Sequence, residues 1–115
     1  IFSTAQPPIC MAWTNFIFQK VLGLDQRRQY LQSTSQYLQQ AVQSKGFECP
    51  STSHIVPVIV GDSIKTVEKA KALQDAGFYI MPVRPPTVPQ HSSRLRICLT
   101  AQITQADLDQ LIPLL

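Results

Sequence analysis

The stretch SRLRICLT, Ser93 to Thr100, alternates without a break: Leu95, Ile97 and Leu99 on one side, Arg94, Arg96, Cys98 and Thr100 on the other. A period of two is what an extended chain produces when successive side chains point to opposite faces. One face is wholly apolar and belongs in a core. The other carries two arginines two positions apart, so both guanidinium groups project from the same face. Such a strand needs partner strands beside it and helices over its apolar side.

Both are found upstream and downstream. SHIVPVIVGD, beginning at Ser53, is apolar at nearly every position, the pattern of a strand covered on both faces. Pro57 inside it predicts an edge position or a bulge, because proline cannot donate to a ladder. DSIKTVEKAKALQDAG follows as a helix, with Asp62 or Ser63 as its cap and Gly77 as its stop. Ile64, Val67, Leu73 and the alanines form its expected buried side. FYIMPV, from Phe78 to Val83, reads as another strand. After the arginine strand, Thr104 caps a last helix with Asp107 in an imperfect capping box, and Leu108, Leu111 and Ile112 face inward. Toward the N-terminus, Leu24, Leu31, Leu38, Ala41 and Val42 mark one stripe of a long amphipathic helix closed by Gly46. Its glutamines read as a solvated face. Before that, Ala12, Trp13, Phe16, Ile17 and Val21 fall at helical spacing after Pro7-Pro8 and before a break at Gly23. From Leu24 onward the order describes a small α+β domain with a mostly antiparallel sheet covered by helices.

The 115 residues, 44% hydrophobic and 15% charged with a net charge of +3, suit one folded domain or a domain plus part of another. The longest basic run is Arg27-Arg28, which argues against a nucleic-acid surface. Cys10, Cys49 and Cys98 are scattered and odd in number, which points to reduced thiols, as in a cytoplasmic protein, and to neither a disulfide framework nor a metal site. The longest apolar stretch, Ile9 to Leu22, is interrupted by polar residues and too short to span a membrane. The chain opens at Ile1 in mid-pattern, and a fragment of a longer protein is expected.

The chemistry-bearing residues cluster around RPPTVPQHSSRLR. Pro85, Pro86 and Pro89 restrict their own φ and the residues before them, so Arg84 and Thr87 can be presented at small entropic cost. Together with Arg94 and Arg96 they read as a clamp for a carboxylate-bearing substrate. The alternative is that the arginines are the wet side of a half-exposed sheet. No glycine-rich phosphate loop and no acid–base constellation accompany them. His54, His91 and Asp62 read as incidental or capping residues, and Lys65, Lys69 and Lys71 as the exposed side of a helix.

The motifs FSTAQPP, IVPVIVGD, GFYIMPVRPPTVP and SRLRICLTAQITQADLDQL resemble the C-terminal part of the pyridoxal-phosphate-dependent α-oxoamine synthases, in the family's order and over nearly the whole chain. The arginine before the proline pair is most like the biotin-synthesis branch, which makes 8-amino-7-oxononanoate. The resemblance implies a fold-type-I enzyme that uses pyridoxal 5'-phosphate and works as a homodimer. It would condense L-alanine with a pimeloyl thioester and release CO2. Residues 1–23 would be the end of the large cofactor-binding domain and residues 24–115 the small C-terminal α+β domain. By the same resemblance Ser3 and Thr4 reach the cofactor phosphate of the partner subunit, Thr87 touches substrate, and Arg96 or Arg84 receives the substrate carboxylate. Arg96 is placed ahead because a strand holds it rigidly, and Arg94 is left as structural. The family's Schiff-base lysine, ring-stacking histidine and pyridinium-pairing aspartate lie upstream of FSTA, so the resemblance places no catalytic residue in this chain and implies no activity for it alone. The family usually has a glycine soon after TVP; here the chain reads QHSS. A glycine- or serine-using relative, or a free-standing module binding an acidic small molecule, are the alternative readings.

Overall fold

The structure is a computed structural model that describes residues 5–115. The element order is α1 (Pro8–Leu22), α2 (Asp25–Ser44), β1 (Ile55–Gly61), α3 (Ser63–Asp75), β2 (Met81–Val83), β3 (Ser93–Cys98), α4 (Gln105–Leu111) and a terminal 3-10 turn, Ile112–Leu114. The three strands form one sheet in the order β1-β3-β2, with β3 antiparallel to both neighbours. β1 and β2 are therefore parallel to each other and bridged by α3, and the last strand fills the slot between them.

The alternation in β3 decides the layering as expected. Leu95, Ile97 and Leu99 are buried, and Arg96, Cys98 and Thr100 are exposed. Val56 stands opposite Ile97 and Val58 opposite Leu95, so the buried face continues across the sheet. Leu38 and Val42 of α2, Ala70 and Leu73 of α3, and Leu108 and Leu111 of α4 complete a single core on that side. Fully burying each aliphatic side chain contributes about 1.5–3 kcal/mol, and this one layer of helices collects nearly all of it. Pro57 lies on an edge strand, and the β1 register shifts between Ile59 and Gly61, so both expectations for that proline strand hold.

Caps and stops follow local chemistry. Asp62 accepts from the Lys65 amide at 2.8 Å, which settles Asp62 over Ser63 as the cap of α3. The α4 capping box is complete: the Asp107 amide donates to Thr104 Oγ1 at 3.2 Å and the Thr104 amide to the Asp107 carboxylate at 2.8 Å. Helices α2 and α3 end alike. Gly46 and Gly77 take φ of +85° and +93°, and the next residues, Phe47 and Phe78, donate back to the Val42 and Leu73 carbonyls. This six-to-one closure needs a left-handed residue, which glycine supplies without a Cβ penalty.

Five expectations are corrected. The strand FYIMPV is only Met81–Val83. The Phe78 amide is used by the helix stop, the Ile80 amide bonds the Phe78 carbonyl at 2.8 Å, and Gln74 bonds the Ile80 carbonyl at 2.9 Å, so these groups are spent locally before the ladder begins. The buried side of α3 is Thr66, Ala70 and Leu73, while Ile64 and Val67 are exposed. Thr66 can be buried because its hydroxyl bonds the Asp62 carbonyl one turn back. Leu24 is exposed rather than part of the α2 stripe, where Thr34 and Ser35 are buried instead. Finally, helices cover one face of β1: Ile55 is exposed and Pro57 and Ile59 half-buried on the other. The glutamines of α2 are not all solvent decoration, since Gln39 bonds the Ser53 carbonyl at 2.8 Å.

Helix α1 stands apart from this core. Every residue from Pro8 to Leu22 is exposed, including Trp13, Phe16 and Phe18. The radius of gyration, 17.4 Å, exceeds the roughly 13 Å expected for a compact chain of this length.

Candidate functional site: an arginine-bearing open sheet face

The face of the sheet away from the helices carries the candidate residues. Cross-strand register places Arg96 between Pro57 on β1 and Met81 on β2, and Arg94 between Ile59 and Val83. Each arginine is thus set in an apolar row, with the two side chains roughly 7 Å apart along the strand. Being on the central strand, both are held by hydrogen-bonded neighbours on either side.

Two concavities open on this face and share Arg96. One, of about 300 Å³, is walled by Met81, Val83, Arg84, Thr87 and Arg96. The other, of about 390 Å³, is walled by Ser51, Ser53, Pro57, Val88, Arg94 and Arg96. The structure therefore brings Arg84, Thr87 and Arg96 to one cavity. Ser3 and Thr4 lie outside the described residues. The loop holds Arg84 and Thr87 through its own backbone: the Thr87 amide donates to the Arg84 carbonyl at 3.0 Å, and the Pro85-Pro86 bond is cis. A second turn follows, with Ser92 donating to the Pro89 carbonyl from both its hydroxyl, at 2.7 Å, and its amide. His91, at φ of 61°, links the two ends.

The arginines differ in how they are engaged. Arg94 is half-buried and its Nε donates to the Ser92 carbonyl at 3.0 Å. Arg96 is exposed, and among the described residues neither it nor Arg84 has a side-chain hydrogen bond or ion pair. No aspartate or glutamate lines either cavity. Unneutralised guanidinium groups with low-dielectric walls attract and orient an anion.

The sequence reading missed the α2–β1 loop. Ser51 and Ser53 line the larger cavity, and Ser51, Ser53 and the Ile55 amide are joined by hydrogen bonds of 3.1–3.2 Å. The only available signal was the serine density of PSTSH, which ordinarily marks a turn. Cys98 and Cys10 are exposed free thiols and Cys49 is a buried one. Among the described residues there is no group of side chains able to hold a metal ion, and no helix long and apolar enough to cross a membrane.

A covalently held aldehyde cofactor such as pyridoxal phosphate needs a lysine amine. None of the chain's five lysines lines either cavity. The described residues fit an anion and do not by themselves fit the cofactor.

Residues 1–115 match the family model described as aminotransferase class I and II. The chain is 46% identical over 110 residues to the putative 8-amino-7-oxononanoate synthase of Haemophilus influenzae, covering 96% of this chain and 29% of that protein. It is 48% identical over 113 residues to the corresponding protein of Pasteurella multocida, again covering 29% of it. The chain thus spans less than a third of the length of the curated relatives it matches. Among solved structures, serine palmitoyltransferase of Sphingomonas wittichii superposes with a TM-score of 0.88 at 26% identity, over 99% of this chain and 29% of that one. The 8-amino-7-oxononanoate synthase of Francisella tularensis superposes at 0.85 with 19% identity, over 99% of this chain and 33% of that one, a likeness of fold alone. The chain belongs to the aminotransferase class I and II family and corresponds to the C-terminal part of the pyridoxal-phosphate-dependent α-oxoamine synthases.

Proposed function

We propose that this chain supplies the substrate-carboxylate clamp of an 8-amino-7-oxononanoate synthase. The complete enzyme would condense L-alanine with a pimeloyl thioester and release CO2, with pyridoxal 5'-phosphate held by residues beyond the described ones. The observation that carries the reading is Arg96. It is a guanidinium without a side-chain partner among the described residues, at the centre of a sheet, forming the shared wall of two cavities, one of which also presents Arg84 and Thr87.

Arg96 receives the amino-acid carboxylate, Arg84 orients it from the loop, and Thr87 adds a neutral hydrogen bond. A strand-borne arginine offers two parallel donors in a fixed plane, which suits a planar carboxylate. The apolar residues beside it lower the local dielectric and strengthen the contact. The same reading makes residues 1–23 the end of the cofactor-binding domain and 24–115 the small domain, supported by an α1 that buries none of its residues. In the homodimer of this reading Ser3 and Thr4 serve the partner subunit's cofactor.

The test is L-alanine titration of the complete protein, followed by the cofactor's visible absorbance. Arg96→Ala should weaken alanine binding about 10- to 150-fold, the worth of a charge-assisted hydrogen bond of roughly 1.5–3 kcal/mol, with thioester affinity little changed. Arg96→Lys should restore only part, Arg84→Ala should weaken binding less than Arg96→Ala, and Thr87→Ala least. Normal alanine affinity in both arginine variants would show that these residues are only the wet face of a sheet.

A further inference from the structure

The junction between α1 and the rest of the chain carries an arrangement that the clamp does not explain. Gly23 and Leu24 are the whole link between two helices of fifteen and twenty residues. All of α1 is exposed, so packing does not fix its direction. Among the described residues, no hydrogen bond joins α1 to anything beyond Arg28.

Arg28 sits one turn into α2, and its guanidinium reaches back across the link. Nη1 donates to the Val21 carbonyl, Nη2 to the Leu22 carbonyl at 3.3 Å, and Nη2 also pairs with the Asp25 carboxylate. The two carbonyls are among the last of α1, where helix partial charge is negative; that of Val21 also accepts from the Leu24 amide at 3.1 Å. Asp25 stands at the first turn of α2, where the partial charge is positive. One planar cation therefore ties the negative end of one helix to the start of the next through three acceptors. The Arg28–Asp25 pair alone would be a weak surface contact, with side chains 49% and 76% exposed. The forked grip on two terminal carbonyls makes the geometry directional, since each donor has its own acceptor.

We propose that Arg28 is a positioning residue that sets the angle between α1 and the domain bearing Arg96, and so fixes the clamp relative to whatever α1 is embedded in. Arg27 is its internal control: it lies next in sequence on the same exposed turn, with no side-chain hydrogen bond among the described residues. Only the last step, from helix angle to clamp position, rests on the proposed carboxylate function.

Cys10 on α1 and Cys98 on β3 are the exposed cysteines, and Cys49 is buried. They allow donor and acceptor dyes to be placed on either side of the junction in this chain. Single-molecule transfer efficiency at picomolar concentration reads the angle while avoiding association through the apolar helix. The unsubstituted chain and Arg27→Ala should give one narrow population. Arg28→Ala should broaden and shift it at unchanged circular dichroism, and Arg28→Lys should fall between, because an ammonium lacks the planar fork of two nitrogens that spans the three acceptors. If Arg28→Ala matches the unsubstituted chain, the Gly23–Leu24 backbone alone sets the angle and the proposal fails. If it loses folded structure, the comparison passes to Arg28→Lys, where an unchanged population is equally fatal. In the complete protein, Arg28→Ala should raise the half-saturating alanine concentration, but by less than Arg96→Ala does. Altered transfer with unaltered alanine affinity would keep the latch and overturn its link to the clamp. Normal alanine binding by Arg96→Ala would overturn the clamp alone.

Discussion

Leu95 and Arg96 are neighbours on β3, and their substitutions should separate cleanly. Leu95 is fully buried, stands opposite Val58 on β1 and Pro82 on β2, and belongs to the single core. Cutting it to alanine removes three carbons from a close-packed site that the two flanking strands prevent from collapsing, which places the cost at about 3–5 kcal/mol. A chain of this length has roughly 6–17 kcal/mol of total stability at about 0.05–0.15 kcal/mol per residue, so the variant folds with a much reduced margin. Arg96 is exposed and has no side-chain partner among the described residues, and its replacement by alanine should change stability by no more than about 0.5 kcal/mol. Urea denaturation followed by far-ultraviolet circular dichroism measures both. With a slope of about 1.5 kcal/mol per molar, the Leu95→Ala midpoint should fall by roughly 2–3 M. Tryptophan fluorescence would be the wrong signal, because Trp13 sits on exposed α1 and not in the core. The reasoning is refuted if Leu95→Ala costs less than Arg96→Ala, for then the face assigned to the core is not the one that stabilises the domain.

Two further outcomes follow from local geometry. Gly46→Ala and Gly77→Ala should each cost about 1 kcal/mol, although a new Cβ meets nothing within 4 Å at either site. The cost is conformational rather than steric, so larger residues at these positions should cost little more than alanine, and a thermal-melt series that falls steadily with side-chain size would contradict this. At the α4 cap, the Thr104 hydroxyl and amide hold the Asp107 carboxyl below its ordinary value. The cap therefore stabilises fully above the unfolded carboxyl's pKa and loses its contribution as pH falls through the lowered folded value. An NMR titration should show Asp107 shifting back upward in Thr104→Ala, and an unchanged Asp107 titration would remove the hydroxyl as the cause.

Much of this was legible in the chain because the relevant signals are local. The alternation of SRLRICLT, the α3 and α4 caps and the two glycine stops each rest on a few adjacent residues; the structure decides between Asp62 and Ser63 in favour of Asp62 and completes the Thr104–Asp107 box. What could not be read depends on which of two helical faces turns inward. In α3, Ile64 with Val67 and Thr66 with Ala70 and Leu73 are both acceptable stripes. The second is buried because a threonine hydroxyl can satisfy itself on its own helix. Ser35 of α2 repeats this, bonding the Leu31 carbonyl at 2.6 Å. The first half of the expected β2 was lost to competition, since a helix stop and a glutamine side chain claimed the backbone groups that a longer strand would have used. Of the site, the arginines and Thr87 were visible through their spacing and the prolines around them. Ser51 and Ser53 were not, because a serine-rich turn looks the same whether or not it lines a cavity.

The slot filled by β3 governs when this domain can form. β1 and β2 are separated by β3 and do not pair with each other; α3 connects them, but every strand pairing that joins them passes through residues 93–98. A growing chain that has not yet produced Ser93 holds two strands with bare inner edges and an apolar face lacking its central row. It cannot gain stability step by step as each element emerges. Pairing β1 with β3 closes a loop of more than thirty residues, which makes the contact slow to find. During synthesis the exposed edges of β1 and β2 are open to strands of other chains, and the insertion of one six-residue segment ends that exposure for both at once.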